Sequence, residues 1–186
     1  MLYAIEAAAG RTQSRPGRLV LMDPAPVTRR FRETFESDFS RRQSSLEVTR
    51  LREELSVSGL REKDADAYRH RMFELSVAGY FADPARAHDL TPFRVVGRVQ
   101  QSVWSSLGDF DLASPLTHVG IPALIVHGRE DPIPLESSQI TARALGGRLV
   151  ILDHCGHVPY VEQPQSLFGA VRDFLTQNPR AARGAP

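Results

Sequence analysis

Residues 122–164 read PALIVHGREDPIPLESSQITARALGGRLVILDHCGHVPYVEQP, and this stretch decides the fold. It contains two short apolar runs, 123–127 and 149–152, separated by a segment with helical spacing. The pattern predicts a strand, an acidic turn, a helix, a second strand and a turn that carries histidine. Because the carboxyl ends of parallel strands in a βαβ unit lie side by side, we expect Asp131 and His157 to meet there.

This pair of residues has a chemical use. A buried carboxylate that accepts an imidazole N–H fixes the tautomer of the ring and stabilises the imidazolium ion that forms during proton transfer. Asp131 and His157 are 26 residues apart, which suits one helix plus one strand. The sequence therefore predicts an acid–base pair at one edge of a parallel sheet.

The motif HGREDPIP at 127–134, followed by GHVPYVEQP at 156–164, resembles the C-terminal end of an α/β-hydrolase. The nearest subgroup is the capped one that includes proline iminopeptidases, esterases and epoxide hydrolases. The order along the chain in this family is nucleophile, acid, histidine. The resemblance implies that Asp131 is the acid and His157 the base. It extends over nearly the whole chain but only over the second part of the fold.

Several other residues compete for these roles. Asp23, at the end of an earlier apolar run, is an alternative acid, since some family members carry the acid there. His127 is expected to be structural and His154 to face solvent. Cys155 lies on the histidine turn and not at a nucleophile turn, and the cluster formed with its neighbours lacks the spacing of a zinc site, so we expect no metal and no cofactor.

The family nucleophile is absent from the sequence. No glycine begins a Gly-x-Ser-x-Gly turn, and the corresponding aspartate turn is absent too. Residues 1–10 predict a helix that resembles the one following the nucleophile, and 19–23 predict the next strand. We therefore expect a C-terminal fragment, a late start or half of a split protein, with negligible hydrolysis alone. A non-catalytic remnant, or a chain that needs an N-terminal half of the same fold as its partner, is the alternative, because strand 19–23 would expose an apolar edge.

The predicted fold class is α/β: about three parallel strands with flanking helices from the C-terminal part of an α/β-hydrolase sheet, with an inserted helical cap. The predicted divisions are a core segment at 1–26, the cap at 27–116, the C-terminal core at 117–178 and a flexible tail at 179–186. The cap's expected role is to shape a pocket and exclude water from it.

Within the cap, three aromatic residues are candidates for lining the pocket, and three glutamates for recognising a substrate amine. The aromatic candidates are Trp104, Phe93 and Tyr68, and the acidic ones are Glu33, Glu36 and Glu74. The resemblance implies acyl transfer from a small ester or peptide-like amide to water, as in a proline iminopeptidase. Epoxide opening is the alternative if the missing nucleophile is an aspartate.

Composition narrows the range of partners. The chain has 186 residues, 41% hydrophobic and 24% charged, with a net charge of +1 and one cysteine. These values are ordinary for a globular protein and give no electrostatic case for nucleic acid or an anionic membrane. A single cysteine forms no internal disulfide and fits a reducing compartment. With neither a signal peptide nor an apolar run of membrane-spanning length, we expect a cytoplasmic protein.

Overall fold

The structure, a computed structural model, describes residues 1–93 and 97–177. Three parallel strands form the sheet in the order β1-β2-β3: β1 (Leu19–Met22), β2 (Ala123–Gly128) and β3 (Arg148–Leu152). Every residue of β2 is buried, because this strand lies between the other two. The predicted α/β class and the three parallel strands are thereby confirmed.

Helices surround the sheet and fill the long connection between β1 and β2. The first is α1 (Leu2–Ala8), before β1. The connection carries α2 (Arg32–Gln43), α3 (Leu46–Val57), α4 (Leu60–Lys63), α5 (Ala65–Val77), α6 (Gly97–Leu107) and α7 (Ala113–Leu116), with short 3-10 turns at Arg29–Phe31, Ala78–Tyr80 and Pro84–Asp89. The remainder are α8 (Leu135–Leu145), α9 (Pro159–Glu162) and α10 (Pro164–Thr176).

The two faces of β2 pack against different helices, because successive side chains of a strand point to opposite sides. Ile125 faces a cluster that includes Ala4 of α1 and Leu145 of α8. Leu124 and Val126 face the other side, where α10 covers them. The continuous apolar run predicted for this strand follows from burial on both faces.

A third cluster lies within the helical connection and extends to the histidine turn. It comprises Val48, Val77, Ala78, Phe81, Ala87, Leu90 and Val158. Local signals in the sequence set the helix starts here: the Ser45 side chain accepts the Val48 N–H, and Asp64 caps α5 in the same way. The residue next to His157 is thus part of the core of the helical connection.

One prediction for this connection is wrong. Thr91 and Pro92 suit the N-cap and the first residue of a helix, so the sequence predicts that the helix with Trp104 begins there, whereas Thr91–Phe93 is irregular in the structure. The Phe93 ring instead packs edge-on against Phe73, with centroids 5.2 Å apart, and this tertiary contact outweighs a weak local capping preference. Val96, predicted for the same helix, lies outside the described residues.

The division of the chain into core segments and a cap stays a prediction. The proposed tail at 179–186 lies outside the described residues. None of the helices in 1–93 and 97–177 has the length and apolar character needed to cross a membrane.

Candidate active site

Asp131 and His157 are hydrogen-bonded to each other at the carboxyl edge of the sheet. The distance from His157 Nδ1 to Asp131 Oδ2 is 2.8 Å. The other carboxylate oxygen of Asp131 accepts the Ile133 backbone N–H at 2.7 Å. The Asp131 side chain is entirely buried, whereas 29% of the His157 side chain is exposed. The structure therefore brings together the two residues that the sequence predicts as a pair.

The surroundings of Asp131 fix the protonation pattern of the pair. Burial alone would raise the pKa of this carboxyl group, but the hydrogen bond and charge of His157 outweigh it and the pKa of Asp131 is lowered. An ionised carboxylate only accepts, so His157 Nδ1 must donate its proton. Nε2 is then left to accept a proton from a reacting group, which is the tautomer that a general base needs.

The acid turn and the histidine turn are joined through their backbones. Arg129 N–H donates to Leu152 O and Glu130 N–H donates to Cys155 O, each at 2.9 Å. The Glu130 carboxylate accepts the Cys155 N–H at 2.9 Å. A Cβ atom on Gly128 would lie 2.1 Å from Gly156 O, so only glycine allows this approach.

The histidine turn is also fixed to the helical connection. His157 N–H donates to Tyr80 O at 2.7 Å. The buried Glu162 carboxylate accepts N–H groups from both sides: Gly156 at 2.6 Å, Ala82 at 2.8 Å and Asp83 at 3.3 Å. These bonds set the position of the His157 backbone relative to the residues around Tyr80.

Replacing Glu162 by alanine should therefore destabilise the fold strongly. The substitution leaves two well-placed backbone N–H groups without their acceptor, and each such loss costs about 1–3 kcal/mol. We expect Glu162→Ala to lower the free energy of unfolding by about 3 kcal/mol in urea titrations followed by circular dichroism. The control is Glu136→Ala, whose side chain is 61% exposed and forms a surface ion pair with Arg30. It should change stability by less than about 0.5 kcal/mol, and equal losses in the two variants would contradict this role of Glu162.

A cavity of about 680 Å³ opens beside His157. Its lining is mainly apolar and aromatic, and consists of Met22, Phe39, Ser76, Val77, Tyr80, Leu90, Phe93, His157, Val158, Pro159 and Tyr160. The rings of Tyr80 and His157 lie 5.2 Å apart. Among the described lining residues none carries an acidic or basic side chain besides His157, so the cavity suits an uncharged apolar group.

The three aromatic candidates for the pocket separate in the structure. Phe93 lines the cavity beside His157. Trp104 lies in a neighbouring depression beyond Phe39 and stacks near Phe110, with centroids 6.2 Å apart. Tyr68 lines a third depression, against Leu55 of α3. Only Phe93 of the three is therefore placed to contact a molecule held at His157.

The three glutamates proposed to recognise an amine lie away from this cavity. Glu33 and Glu36 line an arginine-rich surface depression, and Glu36 pairs with Arg32 at 2.6 Å. Glu74 is buried, but its carboxylate is paired with His70 and Arg71. The carboxylates of Glu36 and Glu74 are thus engaged by their own basic neighbours.

Asp23, the alternative acid, lies directly behind the pair. Its Oδ1 accepts the Gly128 N–H at 2.8 Å, and the residue is 5% exposed. Burial, with the negative charge of Asp131 as the next cause, raises the pKa of Asp23 to about 9. His157 bonds to Asp131 and not to Asp23 in this arrangement.

His127 is a satisfied structural histidine. Its Nε2 donates to Ile133 O at 3.2 Å and its Nδ1 accepts from the Ser138 hydroxyl at 3.0 Å. Burial lowers the pKa of His127, which favours the neutral ring. His154, on the same turn as His157, is exposed and does not line the cavity. Burial raises the pKa of the Cys155 thiol to about 12, which makes it a poor nucleophile.

The metal cluster weighed in the sequence, around Cys155, is not the one that the structure brings together in residues 1–93 and 97–177. Within the described chain, Asp23, Asp131 and His157 place one ligand atom each within 4.8 Å of one another. However, the His157 nitrogen on this side already bonds to Asp131. Binding a cation through this nitrogen would therefore require His157 to give up its hydrogen bond to Asp131.

Three residues at the site were not identified from the sequence: Tyr80, Phe39 and Glu130. Tyr80 contributes its carbonyl and ring to His157, and Phe39 packs on Tyr80 with centroids 4.5 Å apart. Both lie in the helical connection between β1 and β2, far from His157 in the sequence, so no local pattern links them to the histidine. Glu130 precedes the acid directly, and only its contact with Cys155 reveals its role.

A parallel sheet with an acid and, further along the chain, a histidine on adjacent turns is the arrangement found in α/β hydrolases. The model of the alpha/beta hydrolase family matches residues 2–170, and the chain belongs to this family. RutD of Pseudomonas syringae pv. syringae (strain B728a), whose name assigns it carbamate hydrolysis, is 30% identical over 95 residues. That match covers 50% of this chain and 36% of RutD.

Solved structures agree on the fold. An alpha/beta fold family hydrolase from Bacillus anthracis str. Sterne superposes with a TM-score of 0.60 at 18% identity, covering 93% of this chain and 62% of the other. Proline iminopeptidase from Mycobacterium smegmatis gives 0.54 at 19% identity, covering 97% and 63%. This chain therefore spans less than two thirds of the length of these relatives.

Proposed function

We propose that this chain supplies the general base, its supporting acid and the substrate pocket of a hydrolase that transfers an acyl group from an apolar ester or amide to water. The observation that carries the proposal is the 2.8 Å hydrogen bond between Asp131 and His157, with the imidazole at the wall of the cavity. Membership of the alpha/beta hydrolase family supports hydrolysis as the reaction.

The protonation states of Asp131 and His157 fit this reaction. His157 Nε2 takes the proton of the attacking hydroxyl, and Asp131 stabilises the imidazolium through Nδ1–H. The same imidazolium then protonates the leaving group. A positioned base of this kind contributes about 10²–10⁴-fold to the rate.

The proposed reaction also needs a nucleophile. The family turn Gly-x-Ser-x-Gly is absent here, and the chain spans 62% of the length of the Bacillus anthracis hydrolase. We propose that a serine-bearing segment completes the site, either encoded in the same frame upstream of Met1 or as a separate polypeptide. This chain together with that segment is the completed enzyme.

The lining of the cavity favours an uncharged substrate. Phe39, Tyr80, Phe93 and Tyr160 offer apolar and aromatic surface, while the carboxylates proposed to bind an amine lie elsewhere. A free amino terminus would have to lose its hydration in this cavity without a charged partner among the described residues, which is costly. The proposed substrate class is therefore an ester, or a neutral amide, with an apolar acyl group.

The test is hydrolysis of p-nitrophenyl esters with acyl chains of two to eight carbons by the completed enzyme, with prolyl p-nitroanilide for comparison. We expect kcat/KM to be higher for the butyrate to octanoate esters than for the acetate, because the longer acyl chains bury more apolar surface. We also expect the esters to be preferred to the prolyl substrate. A preference for the prolyl substrate would contradict the proposed class, and the 186-residue chain alone should not exceed the uncatalysed rate.

A pair of serine variants links this preference to the cavity. Ser76 lines the cavity from α5, and Ser56 occupies an equally exposed position on α3; each hydroxyl donates to the carbonyl three residues before it at 2.7 Å. Ser76→Trp should narrow the cavity. This should lower kcat/KM for the octanoate ester about tenfold and change it little for the acetate, whose acyl group is small. Ser56→Trp adds the same bulk to the neighbouring depression that Tyr68 lines, and not to the cavity, so it should leave both values unchanged.

A further inference from the structure

Two carboxyl groups lie together behind His157, and one of their four oxygens lacks a donor. The ligand atoms of Asp23, Asp131 and His157 lie within 4.8 Å of one another. Asp131 accepts bonds at both of its oxygens, and Asp23 Oδ1 accepts the Gly128 N–H. Asp23 Oδ2 is buried and receives no hydrogen bond from any donor in 1–93 or 97–177.

An ionised Asp23 fits this geometry poorly. A buried carboxylate oxygen without a donor carries a large desolvation cost, and a second negative charge beside Asp131 adds repulsion. A protonated Asp23 removes both problems, because its hydroxyl can donate to the neighbouring carboxylate. Burial and, after it, the negative charge of Asp131 raise the pKa of Asp23, in the direction that this geometry requires.

The backbone at Asp23 has a conformation that few residue types adopt readily. Its φ angle is +37°, a left-handed conformation that non-glycine residues adopt rarely and aspartate more readily than most. The carboxyl group is held there by the Gly128 N–H, which belongs to the last residue of β2. Asp23, directly after β1, thus places its carboxyl group against the end of β2, where the acid turn begins.

We infer that Asp23 is a positioning residue: its carboxyl group is protonated in the folded protein and donates the Oδ2 proton to the Asp131 carboxylate, which holds Asp131 in place for His157. The catalytic significance of this bond rests on the proposed function, but the bond itself does not. The titratable groups that face Asp23 from the surrounding elements are Asp131, His157, His127, Glu162 and Cys155.

The first test is the side-chain carboxyl ¹³C resonance of Asp23 in the full 186-residue chain, assigned by its loss in Asp23→Asn. We expect the chemical shift of a protonated carboxyl group throughout pH 5–8. A carboxylate shift across this range, or a titration midpoint near 4, would overturn the inference. Neither result depends on hydrolysis, so the proposed function stands or falls separately.

The second test compares Asp23→Asn with Asp23→Gly, since both residues tolerate a positive φ. Asparagine keeps an oxygen for Gly128 and an N–H donor for Asp131, whereas glycine removes both. The downfield Nδ1–H proton resonance of His157 should stay at its wild-type position in Asp23→Asn and shift or broaden in Asp23→Gly. An unchanged resonance in the glycine variant would contradict a positioning role.

Proton linkage gives a third, independent readout. If folded Asp23 keeps its proton while the unfolded chain releases it near pH 4, the folded state binds more protons, and stability falls as pH rises towards the folded pKa. The folding constant of the wild type should therefore fall relative to Asp23→Asn by about tenfold per pH unit between pH 5 and 7. A ratio that is flat or rises over this range would overturn the inference.

Discussion

Replacing His157 by alanine in the completed enzyme is expected to lower kcat/KM for p-nitrophenyl butyrate by about 10⁴-fold. The imidazole takes the proton of the nucleophile, and because the members of a triad act as a unit, its removal should cost about 10⁴-fold, the upper end of the range for a positioned base. This corresponds to about 5.5 kcal/mol of transition-state stabilisation. The measurement is initial-rate kinetics with each variant at equal concentration of folded protein.

The matched control is a histidine on the same turn. His154 is exposed and has a φ of +54°, which asparagine tolerates better than alanine. His154→Asn should keep kcat/KM within about twofold of the wild type, because this side chain lies outside the cavity. A loss of less than tenfold in His157→Ala would exclude His157 as the general base.

Replacing Gly156 by alanine is expected to have the largest effect on stability. A Cβ atom there would lie 2.1 Å from Tyr80 O and 2.9 Å from Ala82 N, both of them backbone atoms that cannot rotate away. The histidine turn would have to move, breaking the His157–Tyr80 and Gly156–Glu162 hydrogen bonds. We expect a loss of about 4 kcal/mol in the free energy of unfolding, at the upper end of single-substitution effects.

The control for this substitution is Gly169→Ala in α10. Apart from the adjoining residues and backbone of its own helix, no atom of residues 1–93 or 97–177 lies within 4 Å of the position that its Cβ would take. Alanine is the better helix former by about 0.5–1 kcal/mol, so this variant should be more stable than the wild type. Urea titration of both variants checks the pair, and an equally mild effect of Gly156→Ala would show that the two backbones can separate at low cost.

The sheet and its two functional turns could be predicted because their signals are local. Residues 123–127 form an uninterrupted apolar run, which is typical of a strand covered on both faces, and every residue of β2 is buried. Asp131 and His157 occupy short motifs, and the order of strands brings their turns together. The start of α10 is equally local, because proline suits the first residue of a helix, and Pro164 holds that position.

The surroundings of the histidine could not be predicted in the same way. Whether Phe93, Trp104 or Tyr68 lines the cavity depends on how helices far apart in the chain pack together, and periodicity gives only the face of each helix. Tyr80 reaches His157 through a backbone carbonyl, a group that every residue carries. The role of Asp23 depends on the proximity of a second carboxylate, which becomes visible only when β1 and β2 are paired.

The hydrogen bond between Tyr80 and His157 has a consequence for evolutionary divergence. An insertion or deletion near Tyr80 would change the backbone position of the proposed base, as would one that displaced Ala82 from Glu162. Phe39 and Ser76 instead reach the same cavity by their side chains, from α2 and α5. Substrate range is therefore expected to diverge through substitutions on these two helices, while homologues keep the length of the segment around Tyr80 constant.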